Sequence, residues 1–284
     1  MDGEALGGNS RIVLIDNGSL NPKSVLEARA LASELSERLG EAVDTVSVAH
    51  SDEIPESELG GTSAVLWKTY LEEADEQGIC NVFVLPLFVG PGFALKKAKT
   101  LALKLQKGES RVDVRWANTL VSRSEEDALL VELLSENVIQ ALDTQEKQGP
   151  HPRVLLVDHG SPFEDVTKCR DYAADRLSES LRNQVESVVA CSMERREGRE
   201  FDFNEPSLKR ALDEARSDGV ATVVICHLFL FSGRHAGFGG DIDEICDRAG
   251  WGTDSGLAKT ELIGSHPKVL ELLEKRLNSI RHRG

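Results

Sequence analysis

The sequence lacks the hallmarks of a disulfide-bonded protein. Its five cysteines (Cys80, Cys169, Cys191, Cys226 and Cys246) are odd in number and never spaced as CxxC, so they read as reduced thiols. Cys191 and Cys226 fall in or beside apolar strand-like runs and are expected in the core. No apolar run approaches the roughly 20 residues of a helical membrane span. The opening MDGEALGGNS has neither the basic flank nor the apolar centre of a signal peptide, so a cytoplasmic location is expected. Positive charge is also short: 33 Lys and Arg stand against 48 Asp and Glu, a formal net charge of −15. That balance argues against nucleic acid or anionic membrane as the main partner.

What is present is a repeat. Arg11–Ser19, RIVLIDNGS, matches Arg153–Ser161, RVLLVDHGS, at an offset of 142, with five of nine positions identical. ASELSERL at 32–39 matches ADRLSESL at 174–181 at the same offset, and LEEADEQGICNVFVLPLF at 71–88 matches LDEARSDGVATVVICHLF at 212–229 at 141. Near-constant offsets over three blocks imply duplication. The polar DTQEKQGPHP stretch separates the copies, giving expected domains 1–145 and 153–284 joined by a linker at 146–152.

Each copy alternates short β-rich runs with amphipathic segments. Strands are expected near 11–16, 43–49, 81–88 and 111–117, then 153–158, 185–191, 221–230 and 258–263. Helices are expected near 23–39, 63–77, 93–107 and 124–142, then 164–182, 206–218, 239–249 and 267–280. Continuously apolar strands between helices predict an α/β fold: two tandem domains, each a four-stranded parallel sheet flanked by helices, related by a pseudo-two-fold. With strand order 2-1-3-4, the loops after the first and third strands of a copy become neighbours.

In the second copy both of those loops carry a histidine. His159 follows strand 153–158 in Asp158-His159-Gly160-Ser161, where Gly160 permits a tight turn and Ser161 can cap the next helix. His235 follows strand 221–230 in a stretch that continues through Gly237, Gly239 and Gly240 to Asp241. Either histidine alone reads as well as a turn residue, but the pair predicts ligands for a divalent cobalt, iron, nickel or zinc ion. Without a thiolate or an obvious third ligand the site would be open and labile. The first copy has Asn17 in place of His159 and about Ala94 in place of His235, so the site is expected once per chain.

HGS, then some 75 residues later a strand with LFxxxGxH and Asp-Ile, resembles the sirohydrochlorin chelatases, the CbiX-type class II tetrapyrrole chelatases. His159-Gly160-Ser161, Glu205-Pro206-Ser207, Leu228-Phe229-Leu230, Gly233, His235, Asp241-Ile242 and Gly264-Ser265-His266-Pro267 carry the resemblance. It covers the C-terminal half well and the N-terminal half as a decayed copy. The resemblance implies insertion of divalent cobalt or iron, as substrate, into a sirohydrochlorin-like tetrapyrrole of cobalamin or sirohaem biosynthesis, with no nucleotide or flavin. It also implies that the metal pair His159 and His235 faces the macrocycle; the oligomeric state stays open, although the fused repeat supplies within one chain the pseudo-dimer that a single half would need.

Glu194 aligns with a family glutamate that would carry protons, its N-terminal counterpart being Glu53; an exposed loop acid is the equal alternative. Gly160, Ser161, Arg195 and Arg234 are the expected macrocycle-binding residues, with Arg196 and Arg199 beside them and Gly237, Gly239 and Gly240 as an anion cradle or a lid. His227 stands where the family usually has proline; core is preferred over third ligand. A metal- or tetrapyrrole-binding protein without catalysis is the competing reading. A histidine-nucleophile phosphatase is excluded because no RHG triplet is present.

Overall fold

In a computed structural model the described residues are 9–108, 110–144, 151–252 and 255–281. Most of the expected linker, 146–150, lies outside them. Among the described residues eight strands and eight α-helices alternate. The first sheet is built from β1 (Ser10–Asp16), β2 (Val43–Ser47), β3 (Asn81–Pro86) and β4 (Asp113–Trp116), with α1 (Pro22–Leu39), α2 (Trp67–Glu76), α3 (Phe93–Gln106) and α4 (Ala128–Asp143) between and after them. The second has β5 (Arg153–Asp158), β6 (Ser187–Ser192), β7 (Val223–His227) and β8 (Leu257–Lys259), with α5 (Glu164–Leu181), α6 (Leu208–Ser217), α7 (Asp241–Arg248) and α8 (Lys268–Arg281). Each sheet is four-stranded, in the orders β2-β1-β3-β4 and β6-β5-β7-β8, and every pairing is parallel. This is the α/β architecture predicted from the apolar strands.

The strands are buried on both faces because helices cover both. Ile12–Ile15 and Val154–Val157 are each almost wholly inaccessible. Helix starts follow ordinary capping chemistry. Asn21 accepts from Lys23 N ahead of Pro22 at the first turn of α1, and Ser207 accepts from Arg210 N at α6. β8 ends at Lys259, short of the expected 263, because Thr260 turns inward: its N–H donates to Ile225 O, and its hydroxyl receives the N–H of His227.

The compact units do not follow the repeat boundary. One comprises residues to Leu120 with those from Leu270 onward; the other runs from Val121 to Val269. Helix α4, encoded with the first copy, packs on α5, β7 and β8 of the second sheet. Lys268 at the start of α8 anchors to Glu132 and Glu136 of α4. The rest of α8 packs in the first unit, where Glu274 pairs with Arg38 at 2.7 Å and Arg281 with Glu41 at 2.9 Å. The last helix of each copy is thus exchanged.

Candidate metal site

β5 and β7 are adjacent in the second sheet, with Val157 opposite His227, so the loops leaving them emerge side by side. The β5–α5 loop presents His159 and the β7–α7 loop, residues 228–240, presents His235. Their ring centroids lie 4.5 Å apart with the planes at 76°. A sequence separation of 76 residues thus closes to a distance at which two imidazoles can share one ion. Neither ring is enclosed: the His159 side chain is 47% exposed and that of His235 31%.

Each ring has one nitrogen engaged. His235 Nδ1 lies 2.7 Å from Asp241 Oδ2, and His159 Nδ1 lies 3.1 Å from the carbonyl of Gly160. A carboxylate on Nδ1 fixes the tautomer and turns Nε2 outward, the arrangement found behind metal-bound histidines. Glu194 stands on the other side, its Oε1 3.5 Å from His159 Nε2. Among the described residues no group of three or more His, Cys, Asp or Glu is placed to hold an ion. The site is therefore two histidines with an adjacent exposed acid.

The backbone explains how these groups are held. Gly160 has φ +91°, and a Cβ there would lie 1.9 Å from Glu194 O, so only glycine lets the two loops touch. Met193 N donates to Asp158 O at 2.8 Å and Glu194 N to His159 O at 3.3 Å. Gly240 plays the same part for the other loop: a Cβ would meet His235 O at 2.8 Å and Arg234 O at 2.9 Å. Ser161 does not cap α5, whose N-cap is Phe163; its hydroxyl instead accepts from Phe163 N within the turn.

Beneath the loop lies a buried polar network that the sequence reading did not single out. Asn204 clamps Ser161, accepting its N–H at 2.9 Å and donating to its carbonyl at 2.8 Å. Ser192 donates to Asp158 at 2.7 Å, and Arg170 donates to Ser192 and to Asn204 O. Arg170 and Asp158, both nearly inaccessible, are 3.7 Å apart. Burial pushes the Asp158 carboxyl above its usual range, while Arg170, Ser192 and the Gly160 N–H pull the other way. One signal was available: Arg170 lies on the stripe of α5 that buries Ala173, Ala174 and Leu177.

The remaining candidates separate clearly. Arg195 is committed within its own loop, to Asp202 at 2.8 Å, Glu205 at 2.8 Å and the Gly198 carbonyl. Arg196 lies over the Phe201 ring. Arg234 is 84% exposed and only 3.6 Å from Asp241. His227 is a core residue, its Nδ1 2.8 Å from Thr260 O, and burial lowers its pKa. His266 caps α8, accepting from Lys268 N, and faces Glu136 at 3.3 Å.

The first unit lacks the whole constellation, and two expected equivalences need correction. Register pairs Asp16 with Ser47 and Asp158 with Ser192. Gly18, at φ +90°, abuts Ala49 O just as Gly160 abuts Glu194 O. Ala49, not Glu53, is therefore the counterpart of Glu194; Glu53 lies further on and faces His50. Nor does Ala94 match His235. Gly92 and Gly240 are the equivalent N-caps of α3 and α7, with nearly identical φ and ψ. Residues 87–92 precede α3 whereas 228–240 precede α7, so His235 lies on extra loop that the first unit does not have.

Comparison with known proteins agrees with this geometry. The family model CbiX matches residues 153–280. The fold matches SirB from Bacillus subtilis with Fe3+ at TM-score 0.69 and 18% identity, covering 96% of both chains. It also matches the sirohydrochlorin chelatase SirB of Bacillus subtilis subspecies spizizenii in complex with cobalt, at TM-score 0.64 and 18% identity over 96% and 95%. A third match is CbiX, described as the terminal enzyme for biosynthesis of siroheme in denitrifying bacteria, at TM-score 0.60 and 17% identity over 95% and 98%. Comparison with curated proteins by sequence finds no match. Residues 153–280 thus match the CbiX family model, and the chain as a whole shares its two-sheet fold with these solved structures.

Proposed function

We propose that this protein is a metal chelatase that inserts divalent cobalt or iron into metal-free sirohydrochlorin or a closely similar early tetrapyrrole, as in cobalamin or sirohaem biosynthesis. The observation that carries the reading is the His159–His235 pair at 4.5 Å, with Asp241 behind His235 and Glu194 beside His159.

Insertion replaces two pyrrole N–H protons by one dication, so the site must hold the ion loosely and take up protons. Two imidazoles give a borderline ion only part of its coordination shell, and the ring nitrogens of the macrocycle supply the rest as the ion moves across. Asp241 keeps His235 in the tautomer that offers Nε2. Glu194 and, once the ion has left, the imidazoles accept the released protons. Arg234 offers an exposed cation to the substrate's carboxylates.

The substrate class and the reaction are tested together by mixing the protein with metal-free sirohydrochlorin and cobalt(II) or anaerobic iron(II), following the macrocycle absorbance. Protein-dependent insertion above the spontaneous rate supports the reading. Binding of metal and macrocycle with no acceleration would instead identify a carrier of the same fold.

A further inference from the structure

Large apolar side chains left in water are few among the described residues, and their distribution is uneven. Leu26 and Leu103 lie within helices α1 and α3, but Leu20, Phe93 and Phe238 stand in, or at the end of, strand-to-helix loops at the carboxyl edge of a sheet. Phe238 is the extreme: its exposure is 108% of the reference value, so nothing in the folded chain covers it. It lies three residues after His235, on the long loop that the first unit lacks.

That loop is built rather than slack. Gly233 N donates to Ala236 O at 2.8 Å, Gly240 N to Gly237 O at 3.1 Å, Asp241 N to Arg234 O at 3.1 Å and Gly239 N to Asp243 Oδ2 at 2.8 Å. Ala236 is buried, anchoring the loop on the side before Phe238. Gly237 at φ +140° and Gly239 at φ +72° adopt backbone conformations that other residues reach only with strain, and they turn the chain outward at the residue between them. An internally bonded loop thus holds a phenyl ring in solvent three residues along the chain from His235. Covering such a ring is favourable, and a flat conjugated surface covers it well through offset or edge contacts.

We propose that Phe238 is the residue against which the flat face of the tetrapyrrole rests while its ring nitrogens meet the ion at His159 and His235. The assignment builds on the chelatase reading above and names a substrate contact within it. A planar conjugated macrocycle with a carboxylate rim fits what this loop presents: a bare phenyl face at Phe238 and, four residues earlier, the exposed guanidinium of Arg234. The metal pair needs no help from Phe238, because Asp241 and the Gly240 contact already fix His235. Phe238 therefore acts on macrocycle binding and not on metal binding.

Two variants test this, Phe238→Ala and Phe238→Trp, with metal-free sirohydrochlorin as the probe and cobalt(II) as the metal. Loss of one aromatic contact should raise both the dissociation constant of the macrocycle and KM about tenfold in Phe238→Ala. Meanwhile kcat should change by less than about threefold, the mark of an interaction made equally in ground and transition states. Cobalt affinity without macrocycle should be unchanged. Phe238→Trp should restore KM, and its added indole emission should be quenched as the macrocycle saturates the site. If wild-type protein inserts cobalt and Phe238→Ala binds macrocycle as tightly, the contact is refuted while the chelatase reading stands. If wild-type protein binds no macrocycle, both fall. If wild type self-associates and Phe238→Ala is monomeric with unaltered KM, Phe238 belongs to an interface between copies and the proposal is overturned.

Discussion

The two sheets of this chain share a strand order, a close-approach glycine and a buried strand core, yet only one brings a pair of histidines together at its loop edge. Where the first and second strand-to-helix loops touch, the difference is one of substitution: Asn17 and Ala49 occupy the places of His159 and Glu194, around a glycine kept at φ +90° in one unit and +91° in the other. At the third loop the difference is one of length, and the segment bearing His235, Phe238 and the approach to Asp241 is simply missing. Below the loops, Arg170 crosses to Asp158 in the second unit, while the first has Ala28 on the corresponding turn of α1 and, among the described residues, no arginine acting on Asp16. Loop contacts that hold the backbone are duplicated. The histidine pair and the acid beside it, and the buried cation under them, are not duplicated among the described residues.

The sharpest way to break the comparison is to remove ligands on each side. His159→Ala and His235→Ala should abolish cobalt insertion while leaving the fold intact, since both rings are partly exposed and pack little. Asn17→Ala should leave insertion within about twofold of wild type, because a lone amide oxygen is a poor ligand for a borderline ion. Steady-state insertion assays with circular dichroism as the folding control check both.

Next in size is the buried pair. Arg170→Ala leaves Asp158 as a buried, unpaired carboxylate and should cost about 3–5 kcal/mol of unfolding free energy. Asp16→Asn, which strands no arginine, should cost less than about 1 kcal/mol. Burial raises the Asp158 pKa, so the folded state prefers the protonated acid. In Arg170→Ala the largest opposing influence is gone, while Ser192 and the Gly160 N–H still favour the carboxylate. Its stability deficit should therefore shrink as pH falls below the folded pKa and grow as pH rises through it. Urea unfolding at several pH values measures the slope, and a pH-independent deficit would mean that packing, not charge, is what Arg170 provides.

A smaller effect is expected behind His235. Asp241→Ala should weaken cobalt binding about 10–100-fold, the usual range for removing the acceptor behind a metal-bound histidine. Asp241→Asn should recover much of that loss, because its carbonyl still accepts from Nδ1–H. The electronic absorption of bound cobalt(II) separates a reoriented ligand from a lost one.

Much of this was legible in the sequence. Runs such as VLLV at 154–157 and VVIC at 223–226 are continuously apolar because both faces of a parallel sheet are covered, and glycines after them mark the loop edge. The histidine pair followed from topology, since adjacent strands bring their following loops together. What failed were correspondences that depend on loop length. A constant offset of about 141 equated Glu53 with Glu194 and Ala94 with His235, but the ladder registers and helix caps, which set the true equivalence, absorb insertions invisibly. The exchange of α4 and α8 was hidden for another reason: an amphipathic helix specifies that it has an apolar face, not which sheet receives it. The ion pairs of Arg195 were hidden because a basic cluster looks free until its acidic neighbours Asp202 and Glu205 are folded onto it.

One titration tests the central claim that a chain with two copies of the fold has one metal site. Cobalt(II) is titrated into wild-type, Asn17→Ala and His235→Ala protein by calorimetry, at pH 8 and again at pH 5.5. Only neutral imidazole can ligate the ion, so protons compete with cobalt and binding should be markedly weaker at the lower pH. One ion per chain in wild type and in Asn17→Ala, none at the same concentration in His235→Ala, and the loss of affinity at acid pH are the predicted results. Two equivalent ions per chain, or an Asn17→Ala protein as deficient as His235→Ala, would place the first unit in the chemistry and contradict the account.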